Sequence, residues 1–141
     1  MQTILVTGGC GYIGAHTIVD LIEHGFDVIS ADNLSRASDN SLLGIEKITG
    51  KKIKNYQVDL TDKKATEAIF IENPSIIGII HFAASKAVGE SVENPLKYYK
   101  NNVASTILLL EKMQEHHVKN LVFSSSCTVY SQPAELPVTE K

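Results

Sequence analysis

Cysteine is nearly missing from this chain of 141 residues, which holds only Cys10 and Cys127. Two thiols supply neither metal-ligand spacing nor a disulfide scaffold, and so sparse a usage suits a reducing, cytoplasmic setting. No apolar run approaches the roughly 18 residues that a membrane span needs, and no basic region precedes the first hydrophobic stretch as in a secretory signal. The chain therefore reads as soluble, with no membrane partner. Charge of one sign is lacking too: 13 basic and 16 acidic side chains leave a net −3. Without a basic stripe there is no footprint for nucleic acid. The short cluster Lys47, Lys51, Lys52 and Lys54 reads as a solvated face. Internal repeats, low-complexity tracts and linkers are absent as well, so a single globular domain is expected, burying roughly 68–70% of the surface its unfolded chain exposes.

What is present is an alternation. Thr3 to Val6, Val28 to Ala31, Ile76 to Ile80 and Leu121 to Phe123 are nearly continuous in β-branched and aliphatic residues, as strands buried on both faces of a sheet are. Ile53 to Val58 is a weaker fifth. Between them, Tyr12 to His24, Asn40 to Ile48, Asp62 to Ile71 and Pro95 to Glu115 read as helices. Strict alternation requires right-handed crossovers, so the expected fold is α/β: one doubly wound, Rossmann-like parallel sheet with helices on both faces and strand order 3-2-1-4-5. In that order strands 1 and 5 lie two steps of about 4.8 Å apart, too far for Cys10 and Cys127 to bond. Residues 1–130 are assigned to this dinucleotide-binding domain. From 131 to 141 two prolines and no periodicity mark a loop leading towards further structure.

The first strand runs into Thr7-Gly8-Gly9-Cys10-Gly11-Tyr12-Ile13-Gly14 and then an amphipathic helix. Gly9, Gly11 and Gly14 satisfy G-x-G-x-x-G, and Gly8, Gly11 and Gly14 satisfy G-x-x-G-x-x-G. A plain strand-to-helix turn needs one glycine. Three in register suit a turn that requires positive φ, a backbone that approaches a pyrophosphate, and a helix packed tightly on its strand. Amides at the helix start then face the anion. Asp32 closes the second strand 18 residues after Gly14, where an acid accepts from an adenosine ribose and repels a 2′-phosphate. NAD is thus expected over NADP, with Arg36 four residues later pulling the other way. Asp59-Leu60 ends the third strand on the same edge, where the acid either accepts from an adenine amino group or belongs to a turn running into an N-cap. His81 reads as a core histidine, and His16, His24, His116 and His117 show no metal spacing, so no metal is expected.

Two further segments are more selective. His81 to Ser91 follows the fourth strand, and Phe123-Ser124-Ser125-Ser126-Cys127-Thr128-Val129-Tyr130 spans the end of the fifth. With Thr7 to Gly14, Asp32-Asn33-Leu34 and Tyr98-Tyr99-Lys100-Asn101-Asn102, they closely resemble the amino-terminal half of the UDP-glucose 4-epimerase family of extended short-chain dehydrogenases/reductases. The resemblance implies that Gly8, Gly11, Tyr12 and Ile13, with Gly14 behind them, hold the NAD pyrophosphate. It implies Asp32 and Asn33 at the adenosine ribose and Asp59 and Leu60 at the adenine. Phe82, Ala83, Ala84, Lys86, Asn101 and Ser124 would line the rest of the cofactor channel. Ser126 would hydrogen-bond the sugar hydroxyl of a UDP-sugar and help a proton reach a catalytic tyrosine, a task for which a neutral donor and acceptor is suited. Arg36 and Ser131 depart from the family pattern.

That catalytic tyrosine needs a lysine four residues later, whose ammonium lowers the phenol pKa. Tyr12, Tyr56, Tyr98, Tyr99 and Tyr130 are followed at that spacing by His16, Leu60, Asn102, Val103 and Ala134. None fits, and the pair is expected beyond Lys141, followed by a domain gripping the UDP-sugar. In the segment Pro95 to Glu115, Leu96, Tyr99, Val103, Thr106, Leu110 and Met113 recur at heptad-like spacing, broadened by Ile107, Leu108 and Leu109. That arc exceeds one sheet face, and a homodimer through this helix is expected. The resemblance leaves open another extended nucleotide-sugar enzyme, a dehydratase or decarboxylase. A non-catalytic NAD-binding sensor module is the different-class alternative.

Overall fold

The computed structural model describes residues 2–126 and residue 129. Five strands, β1 Thr3–Thr7, β2 Asp27–Ala31, β3 Lys54–Tyr56, β4 Ile76–His81 and β5 Asn120–Phe123, form one sheet of order β3-β2-β1-β4-β5. All four pairings are parallel. The helices are α1 Tyr12–Glu23, α2 Asn40–Thr49, α3 Lys63–Glu72, α4 Val88–Glu93, α5 Pro95–Tyr98 and α6 Ser105–Glu115, with a π-helical stretch Tyr99–Ala104 joining the last two. The expected topology is therefore the one observed.

Alternation along β1 sorts the core into two layers. Leu5 faces Ile69, Phe70, Ile79, Leu109 and Met113 on the α3/α6 side. Val6 faces Ile18, Ile22, Val28, Ile45 and Ile53 on the α1/α2 side. Side chains of successive strand residues point to opposite faces, so a two-sided sheet makes both members of such a pair apolar. Lys112, 1% exposed, crosses between α6 and α3 to pair with Glu67 at 3.0 Å and with Glu115 at 2.5 Å. Among the described residues, no helix is long and apolar enough to cross a membrane.

Three elements differ from expectation. β3 is shorter because Val58 N–H donates to Tyr56 O at 3.0 Å, a three-residue turn that ends the strand. α4 was legible only as a post-strand loop, since six residues without a capping side chain carry too little periodicity. The segment from Pro95 to Glu115 is helical throughout, but its middle is wound wider than an α-helix. The Ser105 hydroxyl donates to the Asn101 carbonyl, and the Thr106 hydroxyl to Asn102 O at 2.6 Å, serving carbonyls that the wide turn leaves to other donors.

The heptad reading needs correction at two positions. Met113 is 5% exposed and in the core, and Thr106 turns to His81. The uncovered stripe on this segment is Leu96, Tyr99, Val103, Ile107 and Leu110. Leu108 and Leu109 are buried, Leu109 in the core layer with Leu5 and Ile79, while Ile107 and Leu110, three residues apart, share the exposed face of α6.

Candidate functional site

The carboxyl ends of β1, β2 and β4 meet at the glycine turn. Gly8 has φ +70°, and its N–H donates to Ala31 O at 2.8 Å. A Cβ on Gly8 would lie 2.8 Å from Ala83 N, so the turn rests directly on the backbone after β4. Gly11 N–H closes the turn onto Gly8 O at 3.1 Å. A Cβ on Gly14 would stand 2.3 Å from Gly8 O, which is how the absence of a side chain lets α1 pack on the turn. Gly11 starts α1 in extended geometry, and no side chain caps it. Tyr12 and Ile13 in the first turn are 81% and 57% exposed. The site thus offers a helix start with open amides over a backbone cradle, which suits an anion.

Asp32 ties this turn to the next loop. Its Oδ2 accepts from Cys10 N at 3.1 Å and its Oδ1 from Leu34 N at 2.9 Å. Each carboxylate oxygen keeps a second lone pair for a hydroxyl donor. Asn33 Oδ1 accepts from Ser35 N at 3.0 Å, holding the same loop. Beside it, Cys10 is buried, and burial together with the Asp32 charge pushes its thiol up to about 11. It is inert at neutral pH.

After β3 the turn and the N-cap fall on different acids. Asp62 is the N-cap of α3, accepting from Lys64 N at 2.9 Å and Ala65 N at 3.0 Å. Asp59 makes the preceding turn, its Oδ1 accepting from Thr61 N at 2.9 Å and from the Thr61 hydroxyl at 2.8 Å, and it still lines the groove. The Leu60 side chain, 6% exposed, belongs to the core and not to the groove lining.

A groove of about 460 Å³ opens between the loops that follow β2, β3 and β4 and the segment from Lys97 to Asn101, lined by Asn33, Ser35, Arg36, Asp59, Thr61, Ser85, Lys97, Lys100 and Asn101. Three of its walls are expected site residues, Asn33, Asp59 and Asn101. Phe82 and Ala83 anchor to β1, with Phe82 N–H donating to Thr7 O at 3.0 Å. Ala84 and Lys86 are exposed on the loop beyond them, outside the groove lining. Ser124 N–H donates to His81 O at 3.1 Å, which places the exposed Ser124 to Ser126 run beyond the same sheet edge. Cys127, Thr128 and residues 130–141 lie outside the described residues, and with them the expected loop from 131 to 141 and the spacing between the two cysteines.

Asn102 is a functional neighbour that sequence reasoning missed. Its Oδ1 accepts from Ser85 N and its Nδ2 donates to Ser85 O, both at 2.8 Å, while Asn101 Nδ2 donates to the same Oδ1 at 2.8 Å. The loop after β4 is thereby clamped to the π-helical stretch. Its only signal in the sequence was the tandem Asn101-Asn102. His81 is 3% exposed, with Nδ1 2.6 Å from the Thr7 hydroxyl and Nε2 3.1 Å from the Thr106 hydroxyl. Burial holds its pKa below the ordinary histidine value. It ends β4 on the carboxyl edge, but its ring is held inside the core, the satisfied role expected of it.

Two other features lie away from this edge. A cavity of about 280 Å³ opens near the amino ends of β2 and β3, rimmed by Lys51, Lys52 and Lys54. All four lysines of the basic cluster are exposed, and Lys54 pairs with Glu72 at 2.8 Å. Glu67, Glu115 and His116 bring metal-capable atoms within 4.8 Å of one another. The Lys112 ammonium already balances both of those carboxylates.

Comparison with known proteins agrees with this geometry. The family model described as "NAD dependent epimerase/dehydratase family" matches residues 4–141. The chain is 53% identical over 137 residues to the UDP-glucose 4-epimerase of Dictyostelium discoideum, covering 97% of this chain and 40% of that protein. It is 51% identical over 139 residues to the UDP-glucose 4-epimerase of Bacillus subtilis, covering 99% of this chain and 41% of that one. Among solved structures, UDP-glucose 4-epimerase from Bifidobacterium longum in complex with NAD+ and UDP superposes with a TM-score of 0.92 at 51% identity, over 99% of this chain and 42% of that chain. The chain spans about two fifths of the length of the curated relatives it matches. A parallel sheet of order 3-2-1-4-5, a glycine cradle beneath an uncapped helix and this similarity along nearly the whole length lead to one conclusion: the chain belongs to the NAD dependent epimerase/dehydratase family.

Proposed function

We propose that this chain is the NAD-binding part of a UDP-glucose 4-epimerase, interconverting UDP-glucose and UDP-galactose through a 4-keto intermediate. The observation that carries the reading is the edge where the Gly8–Gly14 cradle, the Asp32 carboxylate and the Asn33/Asp59/Asn101 groove adjoin. A pyrophosphate fits there because side chains are missing where a Cβ would intrude, and because the α1 amides have no competing cap. Asp32 and Asn33 would take the adenosine ribose, and Asp59 with the main chain at Leu60 the adenine. Phe82, Ala83, Ala84, Lys86, Asn101 and Ser124 would continue the channel towards the nicotinamide. NAD, when bound, supplies reversible hydride acceptance.

In this reading Ser126 holds a hydroxyl of the UDP-sugar and relays its proton to a tyrosine that the 141 residues do not contain at the required spacing from a lysine. Residues 1–130 serve as the dinucleotide-binding unit and 131–141 as the connection onward. The Leu96–Leu110 stripe supports a homodimer, since exposed apolar surface on a helix calls for a cover. The mild net charge of −3 supports a protein without a nucleic-acid partner, and the sparse cysteine a cytoplasmic one. Names of the relatives favour epimerisation over dehydration.

Calorimetry and coupled epimerase assays test the proposal. The purified chain should bind NAD and turn over neither UDP-sugar, because none of its tyrosines has a lysine four residues later to lower the phenol pKa. Full-length protein should epimerise, and its Ser126→Ala variant should lose rate. Absence of NAD binding would remove the reading. Epimerisation by the 141-residue chain, lost in Ser126→Ala, would show that proton transfer does not need the tyrosine and lysine.

A further inference from the structure

Glu90, on α4, is the most heavily engaged carboxylate beside the groove, and no role above uses it. Its Oε2 accepts from Arg36 Nη2 at 2.7 Å and from the Tyr98 hydroxyl at 2.8 Å, and its Oε1 accepts from the Lys97 ammonium. Tyr98 is itself placed by Ala87 N–H, which donates to its hydroxyl at 3.1 Å. The bonds from Lys97 and Tyr98 hold the Glu90 carboxyl below the usual range, so it is ionised wherever the protein is folded near neutral pH.

The partner of interest is Arg36. It lies 54 residues upstream, in the loop after β2 that also carries Asp32, Asn33 and Ser35. Arg36 and Lys97 both line the groove, and Glu90 draws them together at its rim. A guanidinium four residues after the ribose-reading acid is the group that a phosphate on the ribose would recruit, because arginine presents paired donors to phosphate oxygens. In this chain that guanidinium is turned away to α4.

We propose that Glu90 determines nucleotide specificity: by holding Arg36 in an ion pair across the groove it withholds the guanidinium from a ribose 2′-phosphate, and without it the same groove becomes a 2′-phosphate site. The inference rests on the reading that an adenosine occupies this groove. An exposed ion pair is weak by itself. A 2′-phosphate must nonetheless displace one carboxylate from Arg36 while lying beside another, Asp32. Loss of Glu90 removes the first obstacle and takes from Arg36 and Lys97 the one carboxylate each pairs with among the described residues.

Calorimetry with NAD and with NADP on the parent chain, Glu90→Gln, Tyr98→Phe and the Glu90→Gln/Arg36→Ala double variant decides the matter. Glu90→Gln should bind NADP about tenfold more tightly than the parent, the scale of one charge-assisted contact, and should retain NAD. Tyr98→Phe loosens α4 without removing the Glu90 charge and should leave NADP affinity where it was. The gain should vanish in the double variant. An unchanged NADP affinity in Glu90→Gln, with NAD still bound by the parent, overturns this proposal alone. A gain that survives in the double variant also overturns it, as a general effect of lost negative charge. A parent that binds neither nucleotide overturns the dinucleotide reading and this inference with it.

Discussion

Gly14 and Gly44 stand inside α1 and α2, so alanine at either position gains the same intrinsic helix propensity, about 1 kcal/mol. Their surroundings differ. At Gly44 a Cβ meets nothing within 4 Å. At Gly14 it would lie 2.3 Å from Gly8 O and 2.8 Å from Gly9 Cα, both backbone atoms. That backbone has little room to retreat, since Gly8 N–H is bonded to Ala31 O at 2.8 Å and Gly8 already abuts Ala83. Overpacking costs about 1–3 kcal/mol, and losing a turn hydrogen bond adds about 1 kcal/mol. After the propensity gain, Gly14→Ala should destabilise by about 2 kcal/mol, whereas Gly44→Ala should stabilise by about 0.5–1 kcal/mol. At about 3 °C per kcal/mol for a chain of this size, the two variants should melt about 8 °C apart in differential scanning calorimetry. Gly14→Ala should also weaken NAD, because any accommodation moves the cradle, and Gly44→Ala should not. A Gly14→Ala variant that melts with or above Gly44→Ala would refute the claim that the turn and helix are packed backbone to backbone.

Three other outcomes follow from the site. His81 is neutral in the folded chain because burial lowers its pKa, so below about pH 6.5 the unfolded chain binds the extra proton and stability falls with pH, by at most about 1.4 kcal/mol per unit. Urea denaturation from pH 7.5 to 5 should show this slope in the parent and a shallower one in His81→Gln, and parallel curves would contradict it. Asp32→Ala should narrow the preference for NAD over NADP at a loss of about 1.5–3 kcal/mol in NAD binding, checked by calorimetry, with equal affinities in the parent as the contrary result. Asn102→Ala releases Ser85 from both bonds and should cost about 1–3 kcal/mol in urea denaturation. Asn102→Asp keeps the acceptor for Ser85 N–H and should recover part of that loss.

The strand order was legible in advance because the chain alternates apolar runs with helical ones, and parallel neighbours can be joined only by crossovers of one hand. The glycine turn was legible for a related reason. A missing Cβ at Gly8 and Gly14 is a property of the residue itself, and its spacing after a strand leaves few other uses. Asp32, as the acid at the end of β2, carried the same kind of local information. Asp59 did not, since an acid before Thr61-Asp62 serves a turn or a cap equally well, and only the structure puts the turn on Asp59 and the cap on Asp62.

Tertiary structure alone decided everything that depends on two distant segments meeting. Arg36 reads as a cation pulling towards NADP until α4 brings Glu90 to it across 54 positions. Asn102 reads as helix until a wide turn aims it at Ser85. His81 reads as apolar-strand filler, yet its neutrality depends on lying between Thr7 of β1 and Thr106 of α6. The stripe on the last helix was misread at Thr106 and Met113 for the same physical reason. Periodicity reports that some face is apolar, but which residues the sheet covers depends on the helical phase, and one π-helical stretch resets that phase without leaving a mark in the sequence.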